Sequence, residues 1–367
     1  MILKSLSLTN FKNIADAKLE FSPKINCFLG NNGMGKSNLL DAIYFLSFTK
    51  SFSRLPDAML IRQGEDFGIV NGNYERNGAD EVINVGFRKG LRKSFRRGGK
   101  EYQRISSHIG LFPAVMVAPA DQALVTDAAE ERRRFIDMII SQADADYLDA
   151  LMRYNKALEQ RNRMLRDDIE DPTLFETIDL MLDSTASLIQ SRRKVHISQL
   201  ADIFGKYYAM IAGDDEPVQL EYVQSGEKYG SILNGLKETM PRDRILKYTT
   251  VGPHRDDISF TIGGLPARQT ASQGQTKTLT ISLRLAQYES LKKAKSHTPL
   301  LLLDDIFDKL DAKRVERIMD IVSRDEFGQI FITDTNRKHL DEIIAMAGKN
   351  YALWSVENGQ FTPITES

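Results

Sequence analysis

Cys27 is the only cysteine in 367 residues, so no disulfide can form within the chain, and a reducing, cytoplasmic setting is expected. Net charge is nearly absent as well. Forty-nine basic residues face fifty acidic ones, giving −1. Nothing in that balance draws nucleic acid to the whole surface, so any such binding needs a local patch. No apolar run reaches the ~20 residues that a membrane helix requires. The first eight residues lack the charged start, apolar run and small-residue site of a secretory leader. No internal repeat and no low-complexity tract interrupts the chain. What remains is ordinary for a globular protein, with 42% hydrophobic and 27% charged residues. The length suits one large α/β domain with an insertion, or two lobes.

Against this plain background one motif stands out. Gly30, Asn31, Asn32, Gly33, Met34, Gly35, Lys36 and Ser37 match the phosphate-binding loop in full. Residues 25–29 before it read as a buried strand. After it, Leu39, Leu40, Ile43, Tyr44 and Leu46 are spaced as on a helix. Glycines let successive backbone N–H groups turn inward toward phosphate, and the helix adds the positive end of its dipole. Lys36 is expected at the β- and γ-phosphates, and Ser37 at Mg²⁺.

Far downstream, residues 300–303 are four leucines, as in a strand buried on both faces. Asp304 then falls at the carboxyl end of that strand, where α/β sheets bind ligands. It is expected to hold Mg²⁺, and Asp305 to polarise the attacking water. Between the two motifs, Ser272, Gln273, Gly274 and Gln275 form an S-x-G-Q sequence ahead of a helical pattern. A serine there can simply cap the helix. Its hydroxyl, with the Gly274 N–H, is also suited to grip a γ-phosphate.

The rest of the chain organises these motifs. Residues 2–8, 17–21 and much of 68–104 alternate like strands, with turns at Gly90 and at Gly98 with Gly99. Residues 129–211 are charged, poor in glycine and helical in spacing. The acidic stretch 167–172 divides them into two helices of about 40 Å each. The expected fold is α/β: a P-loop ATPase head with an inserted helical lobe. Residues 1–120 with 245–367 would form the head, and 121–244 the mainly helical second lobe.

Two stretches carry dense positive charge. Residues 87–104 hold eight basic side chains against the single acid Glu101, with Phe87, Phe95 and Tyr102 between them. On a hairpin edge, Arg92, Lys93, Arg96 and Arg97 are candidates for DNA phosphates. Lysines that merely guard a sheet edge are the competing explanation. Arg132, Arg133 and Arg134 form the second candidate, and Arg161, Arg163 and Arg166 add charge to the helical lobe. After the strand at 329–332 the chain reads Thr333, Asp334, Thr335, Asn336, with no histidine. His339 is expected on a helix surface, and His254 as a packing residue. Gln63 and Gln122 are open candidates for a nucleotide sensor.

The order of these segments resembles one family in particular. Asn10 to Asn13, Gly30 to Ser37, Glu131 to Asp137, Gly252 to Asp257, Ser272 to Gln275 and Leu303 to Asp305 occur as in RecF, the bacterial recombination mediators. The resemblance runs nearly end to end. Ala120 and the pair Asp308, Lys309 depart from the usual pattern. It implies an ABC-type, SMC-like ATPase head without the long coiled coil. It further implies an ATP-dependent homodimer in which Ser272, Gly274 and Gln275 face the partner's nucleotide. Heads of this type usually carry Glu at the position of Asp305. The shorter carboxylate suggests a slow ATPase, and the resemblance implies that DNA stimulates it. Binding of single-stranded or gapped DNA, work with RecR and RecO, loading of RecA in gap repair and replication restart, and consequences for the SOS response are all implied in the same way.

Two other readings compete. The nucleotide-binding subunit of an ABC transporter would share the motifs, but the absent histidine, Asp305 and the helical insertion weigh against it. An ATPase fused to a nuclease would need more than the roughly sixty residues that follow Asp305.

Overall fold

The computed structural model describes residues 1–213, 216–295, 297–308, 310–347 and 350–364. In chain order the strands are β1 (Ile2–Phe11), β2 (Ile14–Glu20), β3 (Ile25–Leu29), β4 (Phe67–Arg76) and β5 (Ala79–Arg88). Then come β6 (Ser94–Arg97), β7 (Lys100–Glu101), β8 (Ala114–Val117), β9 (Val218–Val223) and β10 (Asp257–Ile262). The last are β11 (Leu265–Pro266), β12 (Leu300–Asp304), β13 (Ile330–Asp334), β14 (Tyr351–Glu357) and β15 (Gln360–Pro363). The helices are α1 (Lys36–Phe48), α2 (Ala123–Thr126), α3 (Ala129–Ala143), α4 (Ala145–Arg166) and α5 (Pro172–Ala212). They continue with α6 (Ile232–Leu246), α7 (Ala267–Thr270), α8 (Gln273–Ala294), α9 (Ala312–Ser323) and α10 (Arg337–Ala347).

The chain divides into two compact units, residues 1–121 with 287–367, and residues 122–286. The first holds two sheets. One is antiparallel in the order β2-β1-β4-β5-β6-β7. The other runs β15-β14-β3-β13-β12-β8, and from β14 to β8 its neighbours are parallel. Leu300 to Leu303 are almost wholly buried in β12, as a strand covered on both faces demands. Helix α1 contacts strands of both sheets and is buried from Leu39 to Phe48. Its apolar character all round suits that position between two layers. The parallel arrangement brings the carboxyl ends of β3, β13 and β12 side by side.

The second unit carries the helical lobe and the sheet β11-β10-β9. Because β9 pairs with β10 along its whole length, residues 245–286, expected with the head, stay in this unit. Helices α4 and α5 pack on each other. Asp171 caps α5 by accepting from Thr173 and Leu174 N–H, and Pro172 occupies its first turn. No proline follows, the one internal glycine, Gly205, is accommodated, and Gly213 ends the helix in a left-handed conformation, so α5 has 41 residues and spans about 60 Å rather than the expected 40.

The core of this unit is polar where two sequence segments meet. Arg132 makes a two-pronged pair with Asp257 at 2.7 and 3.1 Å, and Arg133 donates to the Asp256 carbonyl at 2.8 Å. Arg193 joins Asp137 (2.8 Å) to Asp256 (3.1 Å). Arg134 pairs with Glu130 and Glu131 on its own helix. Arg132 and Arg133 are therefore committed to holding α3 against the start of β10, while Arg134 stays on its own helix. Arg161, counted above with the charge of the helical lobe, is fully buried between Asp179 and Asp243, 2.7 Å from each.

Candidate functional site

A cleft of about 740 Å³ opens at the carboxyl ends of the parallel strands. Gly33, Lys36, Ser37, Asp305, Asp334 and His339 are among its lining residues, all from the first unit. That volume is in the range of small-molecule sites. The backbone of the phosphate loop is built for close approach. A side chain at Gly30 would meet the Val356 carbonyl at 2.4 Å, and Gly35 sits at φ 114. The first N–H groups of α1 have no side-chain cap, leaving them free to bind an anion.

Lys36 is buried, with its Nζ 2.7 Å from the Gly30 carbonyl and 3.1 Å from that of Asn31. Asp305 lies 3.9 Å from the same ammonium. Ser37 Oγ donates to Asp304 Oδ1 at 2.8 Å, and Thr333 Oγ1 donates to the same oxygen at 2.7 Å. Asp304 is nearly buried, and burial pushes its carboxyl above the ordinary range against the lowering effect of those two hydroxyls. Asp305 is raised too, chiefly by burial, with Lys36 opposing and Asp304 reinforcing the shift. A hydroxyl and a carboxylate 2.8 Å apart are the hard oxygen donors that Mg²⁺ accepts, and the loop beside them fits a triphosphate.

His339 departs from expectation. It lines the cleft rather than an outer helix face, with Nδ1 2.8 Å from Asp334 Oδ2 and its ring edge-on to Phe307. One turn of α10 carries the imidazole back over the end of β13. Its distance from the strand in sequence hid this. In the segment after Asp305, Asp308 and Leu310 line the cleft, while Lys309 lies outside the described residues.

In the second unit, Ser272 and Gln275 form a reciprocal cap on α8. Gln275 N–H donates to Ser272 Oγ (3.2 Å), and Ser272 N–H donates to Gln275 Oε1 (2.8 Å). Gln275 also donates to Glu216 at 3.0 Å. Gly274 is in the first turn of that helix. His254 is a packing residue: Tyr154 OH lies 2.7 Å from Nδ1, and Nε2 lies 2.9 Å from the Thr249 carbonyl.

The basic stretch at 87–104 is split in two. Lys93 Nζ is held by Asp57 at 3.0 Å and by the Thr49 carbonyl, above the Phe45 ring. Arg97 is paired with Glu81 at 2.5 Å. Arg92 is exposed and makes no ion pair among the described residues, and there the side chain of Arg96 bonds to Ser94 without an ion pair. Phe87 and Phe95 are core residues, so neither can stack on a base. Two of the four proposed phosphate contacts are therefore spent internally.

Comparison with known proteins agrees with this geometry. Residues 2–361 match the RecF/RecN/SMC N-terminal domain family. The chain is 50% identical to the DNA replication and repair protein RecF of Parabacteroides distasonis over 366 residues, all of both chains. It is 47% identical to RecF of Bacteroides fragilis, covering 100% of this chain and 99% of that one. The solved structure of the recombination mediator protein RecF with ATP, described as part of the RecFOR pathway, superposes with a TM-score of 0.89 at 28% identity. It covers 99% of this chain and 98% of that chain. An Smc head domain from Pyrococcus furiosus shares the fold alone, with a TM-score of 0.59 at 17% identity. The chain is a member of the RecF/RecN/SMC family and, within it, of the RecF proteins.

Proposed function

We propose that this chain is an ATP-dependent recombination-repair protein that dimerises on ATP, binds single-stranded or gapped DNA and hydrolyses ATP slowly. The observation that carries this reading is the convergence of Lys36, Ser37 and Asp305 in one cleft at the ends of parallel strands, with the buried Asp304 bonded to Ser37 beside it. The loop N–H groups and Lys36 bind the phosphates, and Ser37 with Asp304 would hold Mg²⁺. When bound, that ion screens the phosphate charge and polarises the terminal phosphoryl group. Asp305 orients the attacking water and draws on its proton, from a carboxylate one methylene shorter than glutamate. Ser272, Gly274 and Gln275 close over the nucleotide of a second copy, so each active site takes residues from two chains. The description of a solved relative as part of the RecFOR pathway supports RecO and RecR as partners, with loading of RecA at gaps as the proposed outcome.

The decisive experiment mixes two inactive variants, Lys36→Met and Ser272→Arg. A head-to-tail dimer of one of each retains a single intact site. ATPase activity that returns on mixing supports the shared site, and no return at any ratio rejects it. Stimulation of turnover by gapped DNA favours this function over an ABC transporter subunit. A turnover number well above ~10 s⁻¹ would reject the slow-ATPase assignment.

A further inference from the structure

Asp305 holds a backbone conformation that aspartate rarely takes. Its φ is +44°, in the left-handed region where a side chain crowds its own carbonyl. Something must fix it there, and the neighbouring strand supplies it. Asp304 pairs in register with Thr333 of β13. The Asp305 N–H then meets the Thr333 carbonyl at 3.2 Å and the Thr333 hydroxyl oxygen at 3.1 Å. The hydroxyl hydrogen is directed the other way, into Asp304 Oδ1 at 2.7 Å. Thr333 is fully buried, so its hydroxyl has no water to turn toward.

We propose that Thr333 is a positioning residue for ATP hydrolysis, whose single hydroxyl orients Asp304 as a donor while pinning the Asp305 backbone as an acceptor. The inference rests on the assignment of Asp305 to the attacking water. A glutamate could reach that water through its longer side chain. An aspartate has only one rotatable bond between Cα and Cβ and one more to the carboxyl, so the placement of its backbone sets its reach. Thr333 therefore does through the main chain what the missing methylene would otherwise do. It touches neither substrate nor the reacting atoms, and its effect falls on the chemical step rather than on nucleotide binding.

The test uses the full chain with Thr333→Val, which keeps the shape and removes the hydroxyl, and Thr333→Ser, which restores it. Hydrolysis under single-turnover conditions and the affinity for a fluorescent ATP analogue are measured on both. The expected result is a hydrolysis rate at least tenfold lower for the valine variant, analogue affinity within about threefold of the parent, and a rate near the parent's for serine. A valine variant that hydrolyses at the parental rate overturns the proposal, as does one in which the loss is entirely in analogue affinity. Should valine prevent folding, Thr333→Ala also removes the hydroxyl without adding bulk, and a parental rate there is equally fatal. Asp305→Asn, measured alongside, separates the two levels. If it hydrolyses normally, the assignment of Asp305 itself falls; if it is inactive while the valine variant is normal, only the role of Thr333 falls.

Discussion

Ser37 Oγ donates to Asp304 Oδ1 over 2.8 Å, tying the first turn of α1 to the end of β12. The acceptor is a carboxylate whose pKa burial has raised. A carboxyl raised in the folded state contributes stability at low pH that is lost as pH rises through its folded value. At neutral pH its charge is thus a cost to the nucleotide-free protein. Asp304→Asn keeps an oxygen for both hydroxyls and removes that charge. Unfolding in urea at pH 7 should show a gain of roughly 0.5–2 kcal/mol, while hydrolysis falls by about a hundredfold. Unchanged or lower stability would show that the carboxylate is not under strain.

The raised carboxyls also set an acid limit on activity. In the proposed mechanism Asp304 and Asp305 act ionised, and without a bound ion both sit above the ordinary carboxylate range of about 4. Hydrolysis should therefore decline on acidification earlier than exposed carboxylates would allow.

Much of this site could be read directly from the chain, because the phosphate loop and the leucine-rich strand before Asp304 are local patterns. Each encodes its own backbone context within ten residues. The parts that escaped sequence reading depend on pairing across the fold. Thr333 reaches Asp304 only because β12 and β13 align those two positions. His339 reaches Asp334 because a helical turn reverses its direction. Charge was the least legible property. Lys93 and Arg97 look as free as Arg92 in the sequence, yet Asp57 and Glu81 arrive from other segments to neutralise them. Arg161 looks like a solvated arm residue until Asp179 and Asp243 close on it.

That division of charge makes a prediction for DNA binding. Arg92→Ala with Arg96→Ala should weaken binding and flatten the slope of log K against log salt by one to two, since each lost phosphate contact removes about 0.9. Lys93→Ala should instead leave the slope alone and lower stability by about 1 kcal/mol, through its lost bonds to Asp57 and the Thr49 carbonyl. An unchanged slope in the double variant would remove this face from the DNA contacts.

Two histidines, His108 buried and His254 half-buried, predict how stability depends on pH. His108 is held between Tyr102 OH and the Leu46 carbonyl, and His254 between Tyr154 OH and the Thr249 carbonyl. Burial lowers each to about 4. In the unfolded chain they titrate near 6.5. Lowered imidazoles bind fewer protons when folded, so stability is lost as pH falls from about 6.5 toward 4. By pH 5 the loss is roughly 2 kcal/mol for each. Thermal unfolding at pH 7 and pH 5 measures it. His108→Gln and His254→Gln should each flatten the dependence, and a pH profile identical to the parent's would contradict the burial of these rings as neutral groups.

Ser272 of the S-x-G-Q segment presents the sharpest division between structural and proposed functional roles. Its hydroxyl accepts from Gln275 N–H, so Ser272→Ala should weaken α8 by about 1 kcal/mol through loss of the cap alone. Loss of activity in that variant would be ambiguous. Ser272→Asp is not, because aspartate caps a helix as well as serine and its charge favours the positive end of the helix dipole. Stability should stay within about 0.5 kcal/mol of the parent. A γ-phosphate brought to the same N-terminus would now face a carboxylate. ATP-driven dimerisation, followed by light scattering, should disappear, and hydrolysis with it. The ATP affinity of the monomer should hold, since Lys36 and the phosphate loop are untouched. A Ser272→Asp protein that still dimerises on ATP would reduce the S-x-G-Q segment to a helix cap.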